Sequence, residues 1–402
     1  MAAFRGNRLT VGDRVTEFPV GANATLTELE TDPHPLLRRL RASEPVSWLP
    51  VLDGWLVTRR DLVLQAMRDS DAFTVDDPRF STAQVVGASM LSRDGPEHAR
   101  HRDPFAALFR LDAVRERFTG IVELEVDRLL DAVEPEGRAD LRRDLAGPLS
   151  VTTMVHALGL EDTDPQTALG WYAAIVHAVT EITAGRDPGR EGADAFAALR
   201  SSLEPALDRP TEASLVAAAA GDAGALTRAE VASNAAVLLF GGIETTEATI
   251  ANALLHLLSN PGELALVEAD PALTANAVEE SLRLEPAAAV IDRYATREIE
   301  LGGAAIGERE LVRLSLAGAN RDPDVFGEPD RFDVHRHNAR LQIAFAHGPH
   351  VCLGMHLARL EAQIAIRRTL ERLPRLRLDS SRPSEVRGLV FRKPLTLHVV
   401  WG

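Results

Sequence analysis

The strongest constraint on this fold is a helical pattern running from Thr227 to Asn260. Thr227-Arg-Ala-Glu230 has the spacing of a capping box, in which a hydroxyl and a carboxylate satisfy free backbone N–H groups of the first turn. Apolar residues then continue at helical spacing to Asn260-Pro261-Gly262, a strong stop. A helix of roughly 32 residues is about 48 Å long at its usual rise. An element of that length crosses a large domain, so the rest of the chain must be arranged around it. There is material enough: of 402 residues, 45% are hydrophobic and 26% charged, the profile of a soluble globular protein with ample core. No run of about 18 apolar residues occurs, which predicts no membrane span.

The remaining chain reads as mostly helical with a minor β portion split between its two ends. A short helix is expected over 33–43, then a hairpin from Val46–Pro50 to Trp55–Thr58 around Asp53-Gly54, and a helix over 59–68. The stretch 70–92 is turn-rich, and most of 95–260 is helical. A helix from about 274 ends at Leu284, ahead of Pro286. Short strands and turns fill 286–318. Leu353, Leu357, Leu360 and Ile364 mark one face of a helix ending at Leu373-Pro374, and Leu395–Trp401 alternates like a terminal strand. Strands drawn from both ends predict one interlocked domain over 1–402, with 1–24 a loosely ordered segment.

The single cysteine, Cys352, stands in Phe345-Ala-His-Gly348-Pro-His350-Val-Cys352-Leu-Gly354, just before that late helix. The two glycines let backbone pass close to something flat or bulky. The helix start offers free N–H groups and the positive dipole end to a thiolate. One cysteine excludes an internal disulfide and any four-cysteine cluster, and it suits a reducing cytoplasm. MAAFRGNRLTVGDRV lacks the apolar stretch of a signal peptide. A formal charge of −15 argues against nucleic-acid binding.

Four further patterns carry chemistry, each with a plainer alternative. Gly241-Gly242-Ile243-Glu244-Thr245 lies inside the long helix, where each glycine costs about 1 kcal/mol against alanine. The absent side chains admit a flat cofactor or a small ligand, or else a close helix crossing. Glu244 and Thr245 set a carboxylate beside a hydroxyl, a short proton path. Glu280 and Arg283 share a helix face at i,i+3, as would any surface ion pair. His98 and Arg102, at i,i+4, aim two donors one way, toward anionic groups or toward solvent. Asn320-Arg-Asp-Pro323 through Pro329-Asp-Arg331-Phe332 reads as a chain of turns. A zinc site from His347, His350, Cys352 and His356 is the rival chemistry, but its spacing is irregular.

These patterns, in this order and at these separations, resemble the cytochrome P-450 family of haem-thiolate monooxygenases, in particular its soluble bacterial class I type. The resemblance covers the chain from about residue 25 to its end. It implies the P-450 fold, mainly α with minor β, with the long helix and the thiolate loop enclosing haem b. It implies that Cys352 is the axial iron ligand, that Phe345 packs beside the sulfur, and that Gly348, Gly354, Gly241 and Gly242 let backbone approach the haem. His98, Arg102, Arg293 and His350 match the positions that pair haem propionates. Glu280, Arg283 and Arg331 would form a buried structural charge network, and Thr245 with Glu244 would deliver protons for dioxygen activation. Two departures stand out: Ala346 where the family usually has glycine or a small polar residue, and Ile243 where bacterial relatives often have histidine.

The resemblance also implies an apolar substrate pocket built from Phe73, Val85, Val86, Met90, Trp171, Val237, Phe240, Ala288, Val290 and Phe391. The expected reaction inserts one oxygen atom of O2 into a hydrophobic or aromatic small molecule by hydroxylation, epoxidation or O-demethylation, in secondary metabolism or catabolism. Electrons would come from NAD(P)H through a ferredoxin reductase and a ferredoxin. The ferredoxin would dock near Cys352, with Arg359, Arg367 and Arg368 offering positive charge. A peroxide-driven peroxygenase and a non-enzymatic haem sensor are the alternatives on the same fold.

Overall fold

The computed structural model describes residues 11–160, 162–183, 186–208, 214–216, 219 and 226–402. The chain divides into two compact units, each assembled from three separate segments. The first comprises the chain up to Val75, Glu279–Cys352 and Glu385–Leu395; the second comprises Asp76–Val278, Leu353–Ser384 and Thr396–Gly402.

The first unit is built on a five-stranded sheet. Its order is Val46–Leu49, Gly54–Val57, Leu311–Ser315, Val290–Ala295 and Phe73–Thr74. The first two strands form the expected hairpin, with Trp48 opposite Trp55. Its turn is longer than the sequence suggests: Pro50–Leu52 makes a 3-10 turn, and Asp53 adopts the left-handed conformation at φ 45°. Gly54–Val57 then runs parallel to Leu311–Ser315, a pairing between residues far apart in sequence that local periodicity cannot report.

Under this sheet lies an apolar core that includes Trp55, Val57, Val63, Met67, Val312 and Leu314. Phe73 belongs to this core and pairs with Ala295 across strands. The expectation that it lines a substrate pocket is therefore corrected. Val290 is likewise a core residue, packed with Leu36, Leu37, Leu40 and Leu49.

The expected loose segment 1–24 is also corrected over its described part. Val11–Glu17 and Pro19–Ala22 are helical. Arg14 is buried, with its guanidinium 4.3 Å above the Trp48 ring and an ion pair to Glu310 at 2.6 Å. Phe18 packs edge-on against Trp55. A buried cation over an aromatic face holds a segment far more firmly than its short helices would alone. Residues 1–10 lie outside the described residues.

The second unit is organised by the long helix, Arg228–Ser259, 32 residues with both halves of its capping box formed. It is buried along most of its length among helices that include Gly147–Leu158 and Met355–Arg372. The latter also packs on Leu111–Val133. A three-stranded sheet joins Arg138–Asp140, His398–Val400 and Arg377–Leu378, so the predicted terminal strand is present and central in it. Among the described residues no helix is long and apolar enough to cross a membrane.

Candidate active site

In the first unit the cysteine loop is braced by its own backbone. Ala346 N–H donates to the Ile343 carbonyl at 2.9 Å, Val351 N–H to Gly348 at 3.1 Å, and Cys352 N–H to Phe345 at 2.8 Å. Two residues of the loop are left-handed: Gly348 at φ 74° and Ala346 at φ 59°. A Cβ on Gly348 would lie 2.7 Å from the Met67 carbonyl oxygen, so glycine is required there by space as well as by conformation. The loop presents Cys352 exposed, with Phe345 and His350 half-buried.

The first unit also holds a buried charge network. Glu280 and Arg283 are fully buried and joined by two hydrogen bonds, Nε to Oε2 at 2.7 Å and a terminal nitrogen to Oε1 at 2.8 Å. The third member is Arg336, not Arg331. Arg336 Nε donates to Glu280 Oε1 at 2.8 Å, and its terminal nitrogens donate to the carbonyls of Gly327, Glu328 and Arg331. The Arg331 side chain is 55% exposed and faces Glu328; only its carbonyl joins the network. The Asp333-Val-His-Arg336 run held the missed signal: an arginine ending a turn whose Asp333 N–H also donates to Glu280. Burial pulls the Arg283 guanidinium below its usual range, opposed by Glu280.

In the second unit the long helix carries the acid–alcohol pair. Thr245 Oγ1 donates to the Gly241 carbonyl at 2.6 Å, and Thr249 Oγ1 to the Thr245 carbonyl at 2.7 Å. Such back-bonding competes with the helical ladder and bends helices. Glu244 is buried beside it. The two glycines separate in role. A Cβ on Gly241 would meet nothing within 4 Å, whereas one on Gly242 would lie 2.2 Å from Met154 Sδ. Gly242 therefore serves the helix crossing, which corrects its expected place at the cofactor.

The four expected anion partners fall two to each unit. Arg293 is buried in Val290–Ala295, with a terminal nitrogen donating to the Asp292 carbonyl, and His350 closes the turn Gly348–His350. His98 is buried and Arg102 half-buried, one turn apart on Gly95–Ala106. Of the apolar candidates, Ala288 bridges to Phe391 in the first unit. Val85, Val86, Met90, Trp171, Val237 and Phe240 belong to the second, and Met90, Val237 and Phe240 are each less than a tenth exposed.

Arg367 and Arg368 do not offer bare positive charge. Arg367 pairs with Glu123 and Glu371, and Arg368 with Asp127 and Glu371. Arg60 and Arg68 lie near His347 instead: burial first, then Arg68 and Arg60, pull its imidazole below the ordinary histidine range. Among the described residues no group of three or more His, Cys, Asp or Glu could hold a metal ion.

This donor set fits an iron porphyrin. The first unit offers one exposed thiol on a braced loop, with Arg293 and His350 suited to carboxylates; the second, by itself, offers His98, Arg102 and a glycine on the long helix with free space over its Cα.

The profile of the family described as Cytochrome P450 matches residues 270–398. Over 377 residues the chain is 35% identical to the cytochrome P450 monooxygenase PikC of Streptomyces venezuelae, covering 89% of this chain and 88% of that one. It is 37% identical to nocardicin C N-oxygenase of Nocardia uniformis subsp. tsuyamanensis over 390 residues, 92% of this chain and 96% of the relative. The fold matches the crystal structure of P450BioI in complex with an acyl carrier protein ligated to hexadec-9Z-enoic acid. There the TM-score is 0.84 and the identity 30%, with 92% of this chain and 99% of that chain covered.

Proposed function

The chain belongs to the cytochrome P450 family and is a haem-thiolate monooxygenase, and from that premise we propose how its own residues serve the reaction and what it acts on. Bound haem b supplies the activation of dioxygen, which electron density from a thiolate favours. Cys352 provides the thiolate, and the hydrogen bond from its N–H to the Phe345 carbonyl fixes where the sulfur projects. Arg293 and His350 of the first unit, and His98 and Arg102 of the second, are the basic groups that would pair with the cofactor's carboxylates through charge-assisted hydrogen bonds. Glu280, Arg283 and Arg336 keep the segment leading to the loop rigid.

Protons reach the reaction through Glu244 and Thr245. The Thr245 hydroxyl spends its hydrogen on the Gly241 carbonyl at 2.6 Å, so its oxygen is oriented to accept a hydrogen bond. The buried Glu244 carboxyl is next to it in the chain, a group of the kind that relays protons. This pairing within one helical turn is the observation that carries the reading.

The substrate is a small hydrophobic or aromatic molecule, hydroxylated, epoxidised or O-demethylated, in secondary metabolism or catabolism. The apolar side chains of Val85, Val86, Met90, Trp171, Val237, Phe240, Ala288 and Phe391 support that class. Electrons come from NAD(P)H through a ferredoxin reductase and an acidic ferredoxin. The cluster of Arg60, Arg68 and His347 next to the cysteine loop supports an acidic partner.

Turnover with reduced ferredoxin tests the whole reading. Thr245→Ala is expected to keep the reduced carbon-monoxide spectrum of a haem thiolate while diverting most of the reducing power into peroxide, whereas Cys352→Ser abolishes that spectrum. Unchanged coupling of electrons to product in Thr245→Ala refutes the proton assignment.

A further inference from the structure

His101 has no part in the site described above, yet it is fully buried between His98 and Arg102. Its Nδ1 lies 2.9 Å from Nδ2 of Asn234, which is also fully buried, on the long helix. The orientation of the Asn234 amide is settled by a third residue. Met90 N–H lies 2.8 Å from Oδ1, and a backbone N–H can only donate, so that atom must be the oxygen. The nitrogen then faces the Glu230 carbonyl at 2.9 Å and His101 Nδ1, to both of which it donates. His101 Nδ1 must accept, so the ring is neutral and carries its proton on Nε2. That N–H faces Glu230 Oε1 at 3.6 Å, with a terminal nitrogen of Arg100 3.3 Å away.

The groups around the ring favour this neutral state. Burial is the main cause that holds the His101 pKa below 6.5, and Arg100 adds to it. Glu230, the hydrogen bond from Asn234 and Glu97 oppose them. The residue held at the far end of the chain of bonds belongs to a short buried turn. Ser89 and Ser92 bond to one another, Met90 is 6% exposed, and a Cβ on Gly87 would lie 3.3 Å from Ser233 Oγ. The turn is therefore seated on the long helix at Ser233 and Asn234.

We infer that His101, acting through Asn234, is a pH-sensitive latch on the segment Ser89–Ser92. A protonated ring turns Nδ1 into a donor. The Asn234 nitrogen then faces a donor at His101, and turning the amide to bring its oxygen there sets that nitrogen against the Met90 N–H, so one of the two bonds is lost. His101 is a positioning residue: it fixes Met90 and does not touch the reactants. That the latched segment is a wall of the substrate pocket rests on the function proposed above; the latch itself does not.

Hydrogen exchange of the full-length holoprotein tests it without a known substrate. Exchange of the peptide spanning Met90 is compared at about pH 7.5 and about pH 5, on either side of the ordinary histidine range, after correction for intrinsic chemical exchange. The wild type is expected to lose about tenfold or more of its protection at the lower pH. His101→Gln keeps an acceptor that does not titrate, and Asn234→Asp can accept from both donors. Both are expected to hold equal protection at the two values. Equal protection in the wild type, or the same acid loss in His101→Gln, overturns the latch, and neither result bears on the monooxygenase assignment.

Discussion

Replacing Arg336 by methionine removes one of the two guanidinium groups on the buried carboxylate of Glu280. The lost bonds are Nε to Glu280 at 2.8 Å and the contacts to the Gly327, Glu328 and Arg331 carbonyls. Breaking a buried ion pair by deleting one partner costs roughly 3–5 kcal/mol, because the other charge stays in a poorly solvating place. Glu280 still keeps two bonds from Arg283 and one from the Asp333 N–H, so the lower end applies. A loss of about 3 kcal/mol is a large share of the roughly 5–15 kcal/mol that holds a typical protein folded. Arg331→Met deletes only a 3.3 Å pair with exposed Glu328 and leaves the backbone carbonyl in place, a change of about 0–1 kcal/mol. Urea unfolding followed by far-UV circular dichroism and by the haem absorption distinguishes the two. The Arg336 variant should unfold at clearly lower urea and lose haem with it, while the Arg331 variant follows the wild type. Equal losses in both variants would mean that the exposed arginine, not the buried one, completes the network, and the reasoning from burial would be wrong.

Two further outcomes follow from particular side chains. Glu361 is buried on Met355–Arg372, and burial raises its pKa well above 4.5, opposed only by Thr153. The folded state therefore holds a proton that the unfolded chain releases. Stability from this group is full below about pH 4.5 and falls as pH rises through the folded pKa, by up to about 1.4 kcal/mol per unit. Glu361→Gln should remove that slope and raise the melting temperature at alkaline pH; a slope unchanged in the variant excludes Glu361 as its source. Gly242→Ala forces a methyl against Met154 Sδ and should cost about 1–3 kcal/mol, largely restored by also shortening Met154, whereas Gly241→Ala should leave thermal stability intact. Equal destabilisation of both glycine variants would refute the division of their roles.

Most of what local pattern can encode was legible in the sequence. The long helix was bounded by its capping box and by Asn260-Pro261. The cysteine loop was recognisable because glycines, a histidine and a helix start converge on one thiol. What escaped depends on contacts between distant residues. Nothing near Phe73 says that it pairs with Ala295, and so it read as pocket lining. Arg331 and Arg336 sit in the same run of turns, and only the fold decides which side chain turns inward and which lends a carbonyl. Gly241 and Gly242 are adjacent and chemically identical; their division rests on where Met154 lies. Asn234 carries no local signal, because its partners His101 and Met90 are 133 and 144 residues away.

Ala346 sits two positions from Gly348 in a backbone conformation that an L-residue adopts at a cost of roughly 1–2 kcal/mol. A glycine would escape that penalty but would give up the methyl that packs against the apolar core of the first unit. The chain thus accepts a sprung turn in exchange for an anchored one. Its consequence is a sulfur whose direction is set before any metal arrives, by a hinge that has been denied the freedom to swing.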